Sequence, residues 1–478
     1  MSRIIAVSNR VPFSNGQPQT GGLAVALEPV LRRHGGVWFG WDGEIVSSPM
    51  DLRNITEQDG YSLATIKLSQ EEHRCYYLEY ANRTLWPLFH GRTDLARYDP
   101  EAYATYRRVN ERFARYLREL ARPDDRIWVH DYHLIPLGQR LRDMGVNARI
   151  GFFLHIPFPA PEVLDKLPRS GELVDQLQAY DLVGFQTEQC RRNFEWAAER
   201  FGSPLAAYSH AADRMRRRSA TGAFPISIDT RGFEALASSA SVADLATALG
   251  DDDPAVRWIC SVDRLDYTKG LPEKLQAFEL FLEETPTLHG KVSLAQVAAP
   301  SRETIPEYDQ TRRSVEALVS RINERFGTPS WLPVHYVDRA MDHAQVAALF
   351  RRSAVCLVTP LRDGMNLVAK EYIAAQDPDD PGVLILSRFA GAAHELAAAL
   401  IVDPGNPAAV ARAIKAALQL PASVRRPTWA RMFAWLRQHD VHSWQRNFLA
   451  ALERAVCSAA ARTAHKGGEK LRAHEPVA

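Results

Sequence analysis

The sequence predicts an α/β protein of two doubly wound domains of comparable size, joined near residue 245. Three observations lead there. Short apolar runs alternate with longer periodic segments from end to end, the pattern of βαβ units whose parallel sheets are covered on both faces. The rhythm pauses over Ala235–Pro254, a stretch rich in Ala, Ser and Asp, and then restarts. The chain has 478 residues, whereas single domains run to about 100–200.

Taken in order, strands are expected at Ile4–Ser8, Val37–Trp41, Arg126–His130, Ile150–Leu154 and Leu182–Phe185. Helical periodicity covers Pro100–Ala121 and Thr187–Phe201. After the pause come strands at Val256–Val262, Val292–Ala298, Val355–Thr359 and Val383–Ser387, with helices at Leu271–Glu284, Thr304–Arg325 and Val346–Arg352. The domains so divided are 1–240 and 250–440. A late helical segment, about Ser423–Ala461, suits a helix whose last part, 441–462, crosses back to the N-terminal domain. Residues 463–478 are charged and lack apolar anchors, the composition of a disordered tail. The stretch Ser209–Ala220, with Arg214 and Arg216 to Arg218, reads as a mobile surface loop. Ligands of such sheets bind at the carboxyl ends of strands, and a cleft between the two domains is the expected site.

Composition narrows the function. Hydrophobic residues make up 46% and charged residues 24%, a globular balance. Lys+Arg 58 against Asp+Glu 57 leaves a net charge of +1, so there is no general field for nucleic acid or an anionic membrane, and any anion recognition must be local. Cys75, Cys190, Cys260, Cys356 and Cys457 are scattered, with no CxxC pair; this argues against a disulfide framework or zinc ribbon and fits a reducing cytosol. The opening Met1–Arg10 has an apolar run too short for a signal peptide, and no stretch elsewhere approaches a membrane span. A cytoplasmic protein is expected.

Four segments could carry chemistry. Ser8-Asn9-Arg10 ends the first strand, and Gly21-Gly22-Leu23 follows after a polar loop. Glycines opening a helix expose backbone N–H groups to an anion, and Arg10 adds a planar fork suited to phosphate, although an ordinary turn and a surface Arg fit equally well. Trp128-Val-His130-Asp131-Tyr132-His133 and Gly151-Phe-Phe-Leu-His155-Ile-Pro157-Phe-Pro159 both follow strands, so Asp131 and His155 should emerge at strand ends. His130, Asp131 and His133 are metal-ligand types, but no further cluster completes a set and strand alternation separates His130 from Asp131, so no metal is expected. Alone, His155 reads better as a satisfied core histidine. In Val262-Asp263-Arg264-Leu265-Asp266-Tyr267-Thr268-Lys269-Gly270, Arg264 and Lys269 lie between strand and helix, where two cations suit a leaving nucleoside diphosphate. Last, Thr359-Pro-Leu-Arg362-Asp363-Gly364-Met365-Asn366-Leu367-Val368-Ala369-Lys370-Glu371 also runs from strand to helix. Its backbone N–H groups near Met365–Val368 could hold phosphate, and Asp363 and Glu371 could bond sugar hydroxyls; Asp363 could equally be a helix N-cap.

In this order the four segments resemble the trehalose-6-phosphate synthase family, over roughly four fifths of the chain. The resemblance implies a GT-B architecture, two Rossmann-like domains facing across a cleft, and a retaining transfer of glucose from UDP-glucose to glucose 6-phosphate with no metal or other cofactor. By motif, it places the acceptor on Arg10, Tyr77, Trp86, Asp131 and Arg302, with Arg10 and Arg302 clamping its phosphate. Tyr77 and Trp86 are aromatic residues that could as well be core. The donor falls on Gly22, Leu23, His155, Arg264, Lys269, Met341 and the run Asp363, Gly364, Met365, Asn366, Leu367, Val368, Ala369, Lys370 and Glu371. His155, Asp131, Arg264, Lys269 and Asp363 would be catalytic. One position departs: Met341-Asp342 stands where many relatives have a large or charged residue before Asp. Two substrates, no nucleic acid and no membrane partner are implied, with room for a homo-oligomer; nothing after residue 460 is long enough for a phosphatase domain, so dephosphorylation of the product falls to a separate enzyme. Other readings are a transferase using glycerol 3-phosphate, a cyclitol phosphate, or ADP- or GDP-glucose, and a non-catalytic sensing relative. An epimerase or NAD enzyme is disfavoured by the lack of GxGxxG after the first strand.

Overall fold

The structure is a computed structural model that describes residues 3–14, 17–18, 22–48, 54–58, 60–203, 219–239 and 256–455. Residues 209–218 of the loop expected at Ser209–Ala220, most of the pause over 240–254 and the tail from 463 lie outside those residues; Ala220 itself begins a strand. The described chain forms two compact units, one running to Phe224 and resuming at Trp444, the other spanning Pro225–Ser443.

Strands buried on both faces read as continuous apolar runs, and β1 (Ile4–Arg10) shows why: Ile4, Ile5, Ala6 and Val7 are all fully buried. A two-residue antiparallel pair follows, β2 (Phe13–Ser14) with β3 (Gln17–Pro18). The first sheet then takes β4 (Val37–Val46), β5 (Asn54–Gln58), β6 (Tyr61–Ser69), β7 (Arg126–His130), β8 (Arg149–Phe153), β9 (Leu182–Phe185) and β10 (Ala220–Ala223). Its order is β10-β9-β8-β7-β1-β4-β6-β5, parallel except for the antiparallel β5–β6 edge. Ile5 registers with Val37 of β4 on one side and Ile127 of β7 on the other. Strand order therefore reverses at β1, which makes the carboxyl ends of β1 and β7 the place for a ligand.

The second sheet is wholly parallel: β11 (Arg257–Arg264), β12 (Val292–Ala299), β13 (Val334–Val337), β14 (Ser353–Val358), β15 (Val383–Ser387) and β16 (Leu400–Val402), in the order β13-β12-β11-β14-β15-β16. Here the order reverses between β11 and β14. Ile259, Leu294, Val355 and Ile385 of the sheet pack with Leu275, Phe278 and Ile414 of the covering helices.

The helices start where local chemistry lets them. Pro100–Leu120 begins with Pro at its first position and the Asp99 carboxylate accepting from Glu101 N–H, and Glu188–Phe201 begins after Thr187, whose hydroxyl accepts from Cys190 N–H. Two expectations need correcting. Helix Thr230–Ser239 packs on helices His343–Arg352 and Leu367–Ala375, so residues 225–239 belong to the second unit and the chain changes unit well before residue 245. The late helix is two helices, Ala422–Gln438 and 441–455, because the Asp440 carboxylate accepts from Ser443 N–H and caps a new start.

The second of these helices completes the first unit. Phe448 is fully buried and lies flat on Trp128, centroids 4.6 Å apart. A Cβ at Gly151 of β8 or Gly184 of β9 would stand 2.9 or 2.7 Å from the Phe448 ring, so glycine at both positions opens the notch that receives it.

Candidate active site

At the end of β1, Ser8 Oγ accepts from Trp38 Nε1 and donates to the Arg10 carbonyl, while Asn9 Oδ1 accepts from the Tyr76 hydroxyl. These bonds fix the backbone that presents the exposed Arg10. Its guanidinium lies 5.5 Å from the centre of the Trp41 ring. Gly43, at φ +96, leaves it room; a Cβ there would approach Arg10 Nη2 to 2.4 Å. Beside Trp41 the rings of His73, Tyr77 and His133 form a stack, with Tyr77 5.4 Å from His73 and 5.8 Å from His133. Burial and then the Arg10 charge lower the His73 pKa.

Tyr77 is delivered by a feature the sequence reading missed. Residues His73–Leu85 wind as a π-helix, at whose end the Trp86 N–H donates to the Ala81 carbonyl five residues back, and the Asn82 side-chain amide donates to the Tyr77 carbonyl. Trp86 follows it but is buried, packed 4.2 Å from His90 and 5.7 Å from Tyr132. Of the two aromatic candidates, Tyr77 is half-buried beside Arg10 and Trp86 is a core residue.

At the neighbouring strand ends, Asp131 holds a left-handed backbone, φ 74, with its N–H donating to the Phe153 carbonyl and its Oδ1 accepting from His155 N–H, 3.1 Å. His155 Nε2 lies 3.1 Å from Nδ1 of the fully buried His130. Burial pushes His155 down to about 3 and, with the neighbouring imidazole, His130 well below its ordinary value, so both rings are neutral near pH 7. Arg10, Tyr77, Asp131 and His155 thus share the carboxyl edge of the first sheet. Gly22 and Leu23 open helix Gly22–His34 in the same unit.

The second unit holds the other candidates. Leu361 N–H donates to the Thr268 carbonyl, and Lys269 Nζ meets Asp363 Oδ2 at 2.5 Å, so the loops after β11 and β14 are joined. Gly270, φ +66, permits this; a Cβ would fall 2.7 Å from the Thr359 carbonyl. Asn366, φ 76, takes the cap position of helix Leu367–Ala375 and donates to Asp363, which excludes Asp363 as the N-cap. Asn366 Oδ1 is buried and unpartnered. Behind the loop, Ala392 N–H donates to the Met365 carbonyl, and Gly391 has no room for a Cβ against Gly364. Arg264 is exposed at the end of β11. Glu371 is half-buried, and burial raises its carboxyl to about 7.

Three assignments take a different form in the structure. Lys370 is fully buried, its ammonium donating to the Ile226 carbonyl and to Glu395, so it is turned into the core of its own unit. Met341 is buried, and Asp342 after it closes a capping box with Gln345 at the start of helix His343–Arg352. Arg302, φ 49, lies in the second unit, 3.6 Å from Asp266 Oδ2 and bonded to the Tyr308 hydroxyl, which itself donates to Asp266. Burial opposes the Asp266 charge, but Arg302, Arg264, the Thr268 N–H and Lys269 hold its carboxyl below the usual range. Asp266 and Tyr308 were missed. The signal was Asp two residues before Thr268, an Asx arrangement in which Asp266 Oδ1 accepts from both Thr268 N–H and its hydroxyl. Among the described residues no group of three or more His, Cys, Asp or Glu could hold a metal ion, and no helix is long and apolar enough to cross a membrane.

Two doubly wound parallel sheets, each with charged loops at its carboxyl edge, are the two halves of a GT-B glycosyltransferase. Residues 6–454 match glycosyltransferase family 20, and the chain belongs to that family. Its relatives include the trehalose-6-phosphate synthase of Cronobacter sakazakii, 44% identical over 459 residues, covering 95% of this chain and 96% of that one. The crystal structure of an α,α-trehalose-phosphate synthase (UDP-forming) from Burkholderia vietnamiensis superposes with a TM-score of 0.88 at 45% identity, covering 95% of this chain and all of its own. A Burkholderia xenovorans enzyme of the same description, in complex with glucose-6-phosphate, gives 0.87 at 42% identity, covering 95% of this chain and 100% of that one.

Proposed function

We propose that this hexosyltransferase moves glucose from UDP-glucose to the anomeric hydroxyl of glucose 6-phosphate with retention, forming α,α-trehalose 6-phosphate and UDP. The observation that carries the reading is the joining of the loops after β11 and β14. It gathers Arg264, Lys269, Asp363, Asn366 and the start of helix Leu367–Ala375 at the switch point of one sheet, a set suited to a diphosphate and a sugar. Glu371, one helical turn on, suits the donor ribose. Arg10, Asp131 and Tyr77 suit a phosphorylated sugar acceptor.

In this reaction the acceptor oxygen attacks the donor C1 from the side of the departing phosphate. The C1–O bond to UDP breaks, the new C1–O bond forms on the same face, and the acceptor proton passes to a phosphate oxygen of the leaving group. Arg264 and Lys269 neutralise the charge developing on UDP, and no cofactor is included. His155 and Asp363 contact the transferred glucose. The enzyme is cytoplasmic in this reading, and the product, a phosphate monoester, passes to a separate phosphatase. Incubation with UDP-glucose and glucose 6-phosphate without added metal should yield UDP and a non-reducing α,α-1,1-linked disaccharide phosphate by NMR. Turnover only with another donor or acceptor would overturn the named reaction. Arg264→Gln should lower kcat by about a hundredfold with the circular dichroism spectrum of the fold retained, since the side chain is exposed; an unchanged kcat would remove Arg264 from the chemistry.

A further inference from the structure

The His130–His155 pair contains one imidazole that the proposed reaction uses and one that it does not. The two nitrogens, 3.1 Å apart, need one N–H and one lone pair between them, because both rings are neutral. Two tautomeric arrangements satisfy that bond. In the first, His155 Nε2–H donates, and His130 carries its proton on Nε2. That nitrogen is buried with no hydrogen-bond partner, its ring enclosed by Trp128, Phe153 and Trp444 at 4.8, 6.5 and 6.4 Å between centroids. Stranding an N–H donor there carries its full desolvation cost, and buried orphan N–H groups are rarer than under-satisfied acceptors. In the second arrangement His130 Nδ1–H donates to His155 Nε2, and only a lone pair is left among the aromatic rings. His155 then carries its proton on Nδ1, which makes no hydrogen bond among the described residues, on a half-buried ring of a residue whose backbone N–H donates to Asp131.

We infer that His130 is a positioning residue that sets His155 as the Nδ1–H tautomer, so that His155 meets the donor sugar as a hydrogen-bond donor through Nδ1. The part concerning the sugar rests on the proposed function; the tautomer does not. Histidine-labelled full-length protein, with the His155 signal assigned by its loss in His155→Gln, is read by imidazole 15N NMR without substrate. The expected spectrum shows His155 protonated on Nδ1. His130→Phe keeps an aromatic ring but removes the donor, and should shift the His155 nitrogens toward the other tautomer and raise the KM for UDP-glucose roughly tenfold. His130→Asn places an amide N–H near the position of Nδ1 and should restore both. Protonation of His155 on Nε2 in the unaltered protein overturns the inference, as do identical His155 spectra in the unaltered, Phe and Asn proteins. A shifted tautomer with an unchanged KM supports the inference and overturns instead the reading of His155 as a donor contact.

Discussion

At the scale of single residues, the candidate site is built on left-handed backbone and buried charge. Asp131, Arg302 and Asn366 all have positive φ. Asp and Asn tolerate that conformation; Arg does so only where surroundings enforce it, and here the Asp266 and Tyr308 contacts do. Tyr308→Phe removes the hydroxyl that links Arg302 to Asp266 and should raise the KM for glucose 6-phosphate about fivefold with kcat nearly unchanged; equal losses in both would instead place Tyr308 in the chemical step. Glu371 gives a pH-dependent prediction. Its folded pKa of about 7 stands above the ordinary 4.5, so the fold favours the protonated form. That contribution is complete below 4.5 and is lost as pH rises through 7. Glu371→Gln should therefore match the parent near pH 4.5 and exceed it by about 1–2 kcal/mol at pH 8 in urea unfolding. If Glu371 holds the donor ribose as proposed, the variant should also raise the KM for UDP-glucose above pH 7 and flatten its pH dependence, since a carboxylate can accept from two hydroxyls and an amide oxygen replaces only one of its acceptors. The motif segments were legible as loops between a strand and a helix, since each follows an apolar run and precedes a helical period. The direction of a side chain was not, and Lys370 shows why: its place in a motif says nothing of the Glu395 carboxylate, distant in sequence, that draws it into the core.

At the scale of elements, the apolar runs read as strands in sequence are strands in the structure, since continuous Val, Ile and Leu have few other uses in a covered sheet. The π-helix His73–Leu85 was not legible, because a bond to the fifth residue back leaves no hydrophobic period to find. Short strands such as Val334–Val337 and Leu400–Val402 offer too few residues to separate from loop. The element with the clearest structural consequence is helix 441–455. Phe448→Ala would leave a cavity over Gly151 and Gly184 and should destabilise the first unit by about 3–5 kcal/mol. Gly184→Ala should act through the same contact, and the double variant should cost less than the sum of the two. Additive losses in denaturant titration would show that the notch and the ring do not interact.

At the scale of the whole molecule, two doubly wound units were legible from the restart of the strand rhythm. The point of change was not, because Thr230–Ser239 is recruited by helices more than a hundred residues further along. Dialysis against a chelator should leave kcat within about twofold; a loss reversed by Mg²⁺ would overturn the cofactor-free proposal. The interrupted first unit also dictates an order of assembly during synthesis. Its last helix leaves the ribosome after every residue of the second unit, so the unit that begins first is finished last. Nascent chains arrested soon after Ser443 has emerged should resist protease across Arg257–Ser443 while the residues of the first unit remain susceptible, with Trp128 and the glycine notch waiting for Phe448.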